Sequence, residues 1–134
     1  MQEKNNYRAG DKVKVLIVDD VMDVLKFLTE LIKSWGYEVK CASSGNEALS
    51  ILRLTDYDVL LTDVKMKDGD GMFLFQEIKK ENMQIPVKLV MTGYTKYSDQ
   101  DFLDLGAKWV FQKPIDTIKL KDELRSAEKL LVNK

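Results

Sequence analysis

The stretch VLLTD, residues 59–63, is an apolar run that ends at a carboxylate. Strands of a parallel sheet that is covered on both faces are apolar throughout, so this run predicts a buried strand with Asp63 at the sheet's edge. The earlier stretch VKVLIV, residues 13–18, ends at two acids, Asp19 and Asp20. If these strands are parallel neighbours, three carboxylates meet at one end of the sheet.

The rest of the chain alternates between strand and helix patterns. Three further strands are predicted at residues 37–41, 87–91 and 108–112, and apolar residues at helical spacing follow each strand. This alternation predicts an α/β class, a doubly wound (βα)5 flavodoxin-like fold with a parallel sheet in the order 2-1-3-4-5. Strands one and three are then adjacent at the switch point where such sheets bind ligands. Thr92 and Lys113, which follow strands four and five, lie at the same edge.

Short polar residues before the helical patterns predict where the helices begin. Their side chains can accept hydrogen bonds from the first-turn N–H groups. The predicted N-caps are Asp20, Ser44, Asp70, Ser98 and Asp116. Cys41, on the second strand, is interpreted as a small buried apolar residue.

Composition excludes several classes of function. Lys plus Arg number 21 against 22 for Asp plus Glu, so the net charge of -1 predicts no direct binding to nucleic acid or to an anionic membrane. The single Cys41 excludes an internal disulfide, and the absence of histidine disfavours zinc hydrolases and Ser-His or Cys-His catalysis. Residues 1–12 are predicted as a polar tail without a signal peptide, residues 13–132 as one domain, and the protein as cytoplasmic.

Four motifs together resemble one known family. They are the Asp19-Asp20 pair, Asp63, Thr92-Gly93 and Lys113-Pro114, each directly after a predicted strand. In this order and spacing they resemble the receiver domain of bacterial two-component response regulators, the CheY-like superfamily. Each motif alone is a weak signal, whereas the four in register are specific, and the resemblance extends from residue 13 to about residue 131.

The resemblance implies a phosphoacceptor that is regulatory rather than an enzyme acting on an external substrate. A sensor histidine kinase or a phosphotransfer protein would donate a phosphoryl group to Asp63 with Mg²⁺ as the cofactor. Asp20 and Asp63 would ligate the ion directly, Asp19 mainly through water, and Lys65 through its backbone carbonyl. The chemistry agrees, because clustered carboxylates repel one another and a hard cation with oxygen ligands relieves that repulsion.

The resemblance also assigns roles to the residues after strands four and five. The Lys113 ammonium would neutralise charge on the transferred group, and the Thr92 hydroxyl would bond to the group after transfer. Gly93 would leave space for the donor. Family precedent places the Lys113-Pro114 bond in the cis form.

Two positions depart from the family pattern. Val110 stands where receiver domains usually carry Tyr or Phe, which puts the usual ring-rotation switch in doubt. Its neighbours Trp109 and Phe111 share the opposite face and are expected in the core, with a substitute aromatic switch as the alternative. Lys67 stands where the family usually has Pro, so a looser loop is expected after Asp63.

The family's output surface consists of helix 4, strand 5 and helix 5, which would form a homodimer or bind a target. The candidate residues on it are Tyr94, Lys96, Tyr97, Val110 and Gln112, although the two tyrosines also fit ordinary loop positions. Two alternatives stay open: a phosphorylation-independent interaction module, which Val110 favours, and a haloacid-dehalogenase-like phosphatase, which Lys65 disfavours because that family has Asp there. The chain is expected to be a stand-alone receiver or a fragment of a larger regulator.

Overall fold

The computed structural model describes residues 12–93 and 95–132 of the chain. Of the predicted polar tail, only Lys12 lies among the described residues. Strands and helices alternate in the described part as β1 Lys14–Val18, α1 Met22–Ser34, β2 Glu38–Ala42, α2 Gly45–Leu54, β3 Val59–Asp63, α3 Gly71–Lys80, β4 Val87–Thr92, α4 Asp99–Leu103, β5 Trp109–Gln112 and α5 Thr117–Val132. The strands form one parallel sheet in the order β2-β1-β3-β4-β5, which confirms the predicted fold class and strand order.

The interior strands are buried because helices cover both faces of the sheet. All five residues of β3 are buried, as are the last four of β1. Successive side chains of a strand point to opposite faces of the sheet. On one face they pack against α1 and α5, and on the other face they pack against α2, α3 and α4. β2 lies at an edge, and its Glu38 and Lys40 are exposed, as its alternating sequence predicts. Within the buried strands β1 and β3, polar groups therefore lie at the strand ends.

Four of the five predicted N-caps are confirmed. The side chains of Ser44, Asp70 and Ser98 accept hydrogen bonds from the third residue of their helices, and Ser98 completes a reciprocal box with Asp101. Asp116 Oδ1 accepts from two first-turn N–H groups of α5, at 3.0 and 3.1 Å.

The prediction that Asp20 caps α1 is wrong. The N-cap is Val21, whose side chain makes no capping bond, and the Val21 N–H donates to Asp19 Oδ1 at 2.9 Å. The reason lies in the path of the chain after β1. The Asp19 N–H still donates to the Ala42 carbonyl of the neighbouring strand, at 3.1 Å, so the chain follows the sheet as far as Asp19. The Asp20 carboxylate accepts instead from the Lys67 N–H, in the loop after β3.

The edge strands correct two expectations about burial. Phe111 is buried against α1 and α5, as expected, whereas Trp109 is 43% exposed, so its predicted place in the core is wrong. Trp109 lies at the start of an edge strand, where the Lys119 ammonium lies over its ring at 4.1 Å and leaves one side in solvent. Cys41 is only half-buried, with its Sγ 2.8 Å from Thr29 Oγ1. None of the described helices has the length and apolarity needed to cross a membrane.

Candidate functional site

Three carboxylates lie together at the carboxyl edge of the sheet. Each of Asp19, Asp20 and Asp63 has an oxygen within 4.8 Å of the others. The pairing of β1 with β3 brings Val18 opposite Thr62, so the acids that follow are neighbours. Asp19 is fully buried and Asp63 is 5% exposed, while Asp20 reaches solvent. Two buried negative charges at this distance raise the free energy of the site unless positive charge balances them.

The Asp19 carboxylate is incompletely satisfied. Its Oδ1 accepts the Val21 N–H, but its Oδ2 has no hydrogen-bond partner and is the one such buried side-chain atom among the described residues. The Lys113 ammonium is the cation near it, at 3.6 Å. An unpaired buried acceptor is costly, and a carboxylate oxygen is a ligand that Mg²⁺ accepts. The donor set therefore fits a hard divalent cation.

Lys113 reaches the acids from the end of β5. Its backbone N–H donates to the Thr92 carbonyl at 2.8 Å, and the bond to Pro114 is cis, as expected. The ammonium lies 3.0 Å from Asp63 Oδ1. Lys113 thus bridges the two buried carboxylates.

The pKa values reflect this crowding of charge. Burial raises the pKa of Asp63, and the charge of Asp19 adds to the rise, while the hydrogen bond from Lys113 opposes it without cancelling it. Burial lowers the pKa of Lys113, but its hydrogen bond to Asp63 and the charges of both acids outweigh burial and leave that pKa raised. The lysine is therefore held as a cation in a site with excess negative charge.

Thr92 ends β4 at the same edge and is 3% exposed. Its hydroxyl donates to the adjacent Gly93 carbonyl at 3.1 Å, a local bond that a change of rotamer can exchange for another acceptor. A Cβ built on Gly93 would meet no atom of the described residues within 4 Å, its chain neighbours aside, so the space beside Thr92 is open. In the loop after β3, no described N–H donates to the Lys65 carbonyl, which leaves that oxygen available as a ligand.

One set of contacts at the site was not predicted from the sequence. The loop after β3 is tied to the N-terminus of α2, where Ser44 and Asn46 bond to Asp68, and its Lys67 N–H donates to Asp20 Oδ2 at 3.3 Å. The turn-forming pair Asp68-Gly69 was the available signal, but its partner lies more than twenty residues earlier. These contacts contradict the looser loop expected from Lys67.

The predicted output residues are distributed over different surroundings. Val110 and Tyr97 are half-buried on the side of α2, α3 and α4, where the Tyr97 ring packs edge-on against Phe102 at 5.9 Å. Lys96 is exposed, and Gln112 is exposed and donates to Asp99 on α4. Tyr94 lies outside the described residues. Phe111 packs in the opposite layer and Trp109 against α5, so neither takes the place of the ring missing at Val110.

The fold and this site together define a class of protein, and comparison with known families identifies it. Residues 15–125 match the model of the response regulator receiver domain, and the chain belongs to that family. The transcriptional regulatory protein ZraR of Klebsiella oxytoca is 37% identical over 120 residues, which cover 89% of this chain and 27% of ZraR. The chain thus spans about a quarter of the length of the ZraR proteins that it matches.

Solved structures agree in fold. A response regulator receiver protein from Pseudomonas putida has a TM-score of 0.81 and 25% identity, covering 88% of this chain and 99% of that one. The response regulator TrrA from Thermotoga maritima, solved in complex with Mg²⁺-BeF, has a TM-score of 0.75 and 26% identity, covering 86% and 98%. The five-stranded CheY-like architecture is therefore shared with proteins solved by experiment.

Proposed function

We propose that this receiver domain is a phosphoacceptor in a two-component phosphorelay. Asp63 accepts a phosphoryl group in a Mg²⁺-dependent reaction, and the phosphorylated domain regulates a partner or an output domain. One observation carries the proposal: the buried Asp63 carboxylate lies 3.0 Å from the Lys113 ammonium, beside an Asp19 oxygen that has no hydrogen-bond partner. The site thus combines a carboxylate that can act as a nucleophile, a lysine ammonium in contact with it, and a buried carboxylate oxygen that a further cation could neutralise.

The reaction follows from these groups. A carboxylate oxygen of Asp63 attacks the phosphorus of a phosphohistidine, an O–P bond forms, and the N–P bond breaks with its electron pair leaving on the imidazole. The product is an acyl phosphate. Such transfers depend on positioning and on neutralising charge on the phosphoryl oxygens, which Lys113 does from the side of β5. Thr92 then exchanges its bond to the Gly93 carbonyl for a phosphoryl oxygen.

The chain supplies the ligands for a Mg²⁺ ion. Asp20 and Asp63 would hold it directly, Asp19 through water and Lys65 through its carbonyl. The incompletely satisfied Asp19 and the free Lys65 carbonyl support this assignment, as does the Mg²⁺-BeF complex of the similar TrrA protein. When bound, the ion supplies positive charge that neutralises the acids and the transferred group.

The expected donor is a sensor histidine kinase or a phosphotransfer protein. Beside the acidic site, Val21, Met22 and Phe27 are about half exposed or more, and Phe27 lines an apolar cavity of about 330 Å³ that reaches Lys113. An exposed apolar patch of this kind marks a protein-binding surface. For the output we propose the face of α4, β5 and α5, where Leu103, Trp109 and Ile118 are exposed, as a surface for a homodimer or a target.

Intact-mass spectrometry after incubation with acetyl phosphate tests the function directly. We expect a single phosphoryl adduct that requires Mg²⁺ and is lost when EDTA is present. A receiver of known activity, treated alongside, shows that the donor is competent. If the protein binds Mg²⁺ by calorimetry but forms no adduct, the proposal fails. The half-buried Val110, which provides no switch ring, would then favour a phosphorylation-independent interaction module.

Replacing Lys113 with alanine separates stability from phosphotransfer. Without Mg²⁺ the buried acids lose their cation, and we expect the free energy of unfolding in urea to fall by about 2 kcal/mol, less than for a fully buried pair because the lysine is one-third exposed. Mg²⁺ binding should tighten because the ammonium no longer competes for the same carboxylates. The phosphoryl adduct should still form, but the phosphorylated variant should regulate its partner or output domain more weakly.

Calorimetry and urea unfolding with and without Mg²⁺ measure both effects. Lys26→Ala is the matched control, since Lys26 is an exposed lysine of α1, and it should change neither quantity. Equal stability of Lys113→Ala and the wild type without Mg²⁺ would contradict the bridging role.

A further inference from the structure

The loop between β3 and α3 contacts the acidic site through a backbone group. The Lys67 N–H donates to Asp20 Oδ2 at 3.3 Å and is the one hydrogen-bond donor to that carboxylate among the described residues. A proline at this position would have no N–H to donate. The orientation of the Asp20 carboxylate therefore depends on where the loop holds residue 67.

The loop is held at residue 68 by an unusual backbone shape. Asp68 and Gly69 both have positive φ, 58° and 94°. Aspartate is one of the few residues that adopt this conformation at low cost, and glycine adopts it freely. A Cβ built on Gly69 would lie 2.9 Å from the Phe73 ring and 3.0 Å from the Asn46 nitrogen, so the loop is packed closely against its neighbours.

The Asp68 side chain anchors this shape to α2. Its carboxylate accepts from Asn46 Nδ2 at 2.9 Å and from Ser44 Oγ at 3.2 Å. The backbone adds two bonds, because the Asn46 N–H donates to the Asp68 carbonyl and the Gly45 N–H to the Gly69 carbonyl, at 3.2 and 2.8 Å. These are first-turn N–H groups of α2, which have no partners inside the helix, and a negative charge is favourable there.

We propose that Ser44, Asn46 and Asp68 form a latch that positions the Mg²⁺ ligands. The latch fixes the Asp68 backbone, and through it the Lys67 N–H that orients Asp20. Asp68 is therefore a positioning residue for Mg²⁺ binding, although it is not itself a ligand. This inference rests on the proposed function, because it concerns the same acidic site.

The rest of the loop between β3 and α3 shows why the Asp68 side chain should affect Mg²⁺ binding. Upstream, the loop begins at Asp63, which is fixed in β3, and downstream the Gly71 N–H is fixed to the Val64 carbonyl at 2.7 Å. Between these points the Lys65 carbonyl has no hydrogen-bond donor among the described residues. The Met66 side chain packs against the core on the side of α2, α3 and α4. The latch adds the polar tertiary contacts next to the middle of the loop, where both the Lys65 carbonyl and the Lys67 N–H lie.

The test compares Mg²⁺ dissociation constants by calorimetry. Asp68→Gly removes the carboxylate without straining a positive φ, and we expect Mg²⁺ binding to weaken about 10-fold, the lower end of the effect of removing a group that supports a metal ligand. Asn46→Ala, a change that α2 tolerates, should weaken it by a smaller factor. Asp68→Asn keeps one acceptor oxygen and the backbone shape, so it should recover part of the loss.

Two further comparisons isolate the latch. The double variant Asp68→Gly with Asn46→Ala should bind Mg²⁺ no more weakly than Asp68→Gly alone, because both changes break the same contact. Glu81→Gln is the matched control, since the Arg53–Glu81 ion pair also joins α2 to the α3 region but far from the acids, and it should leave Mg²⁺ affinity unchanged. Lys67→Ala should not weaken binding either, because the contact uses the backbone.

Phosphorylation by acetyl phosphate gives a second readout. In Asp68→Gly the Mg²⁺ concentration for half-maximal adduct formation should rise in step with the dissociation constant, while the rate at saturating Mg²⁺ stays within about twofold of the wild type. A purely structural role would instead lower thermal stability without changing Mg²⁺ affinity. If Asp68→Gly and Asn46→Ala both bind Mg²⁺ like a wild type that forms the adduct, the latch is overturned and the phosphoacceptor function stands. A wild type that does not bind Mg²⁺ overturns both.

Discussion

Asp63→Asn is expected to abolish the Mg²⁺-dependent phosphoryl adduct completely. The amide keeps the size and the buried position of the side chain but has no anionic oxygen to attack phosphorus. The loss should therefore be one of chemistry and not of fold. Intact-mass spectrometry, under conditions that fully modify the wild type, measures the loss of the adduct. Circular dichroism and urea unfolding show whether the variant keeps its fold and stability.

The control for this variant is another carboxylate near the site. Asp23 is exposed on α1 and lines the apolar cavity that reaches Lys113, so Asp23→Asn changes charge in the same region without touching the buried acids. We expect it to form the adduct like the wild type. An adduct of unchanged stoichiometry in Asp63→Asn would place the acceptor on another residue and refute the assignment of Asp63.

The placement of the acids was predictable because it follows from the fold's geometry. An apolar strand that ends in a carboxylate puts that carboxylate at the sheet's edge, and the strand order puts Asp63 beside Asp19. That Asp19, and not Asp20, accepts an N–H group at the start of α1 was not predictable in the same way. Which of two consecutive acids accepts the Val21 N–H depends on where the chain leaves the sheet. Asp19 is still bonded to β2 through its backbone, and no local pattern shows that bond.

Burial at the sheet's edge was also only partly predictable. Strand alternation correctly separates Val110 from its two aromatic neighbours, because side chains of consecutive residues point to opposite faces. Alternation does not show how far a covering helix extends. Phe111 is buried in the layer formed with α1 and α5, whereas Trp109 has the Lys119 ammonium of α5 over its ring and is 43% exposed.

The loop after β3 shows the same limit at the site itself. The departure at Lys67 suggested a loosened loop, because a flexible residue replaces a rigid one. The structure has the loop anchored at Asp68 by residues of α2, which precede it by more than twenty positions. Contacts between residues so far apart in sequence depend on how α2 and α3 pack, and a single sequence contains no direct signal for that packing.

Gly71→Ala is expected to have the largest effect on stability. Gly71 begins α3, and a Cβ there would lie 2.5 Å from the Asp63 carbonyl oxygen and 2.9 Å from Val64 Cα. Both are backbone atoms, so no side chain can move to relieve the overlap. Either α3 or the end of β3 must shift, and we expect the free energy of unfolding to fall by about 3 kcal/mol, the upper range for overpacking.

The same displacement should impair phosphotransfer, because the overlapping oxygen belongs to the nucleophile's own peptide group. A misplacement of about 1 Å can slow a positioned reaction by about 100-fold, so we expect the adduct to form at least about 10 times more slowly in molecules that remain folded. Gly93→Ala is the matched control: Gly93 is also a glycine next to a site residue, yet a Cβ there would meet no described residue within 4 Å other than its chain neighbours. The free energy of unfolding of Gly93→Ala should lie within about 0.5 kcal/mol of the wild-type value, as is usual for open surface positions. Equal stability of the two variants in urea would mean that the contact between α3 and Asp63 does not hold the nucleophile in place.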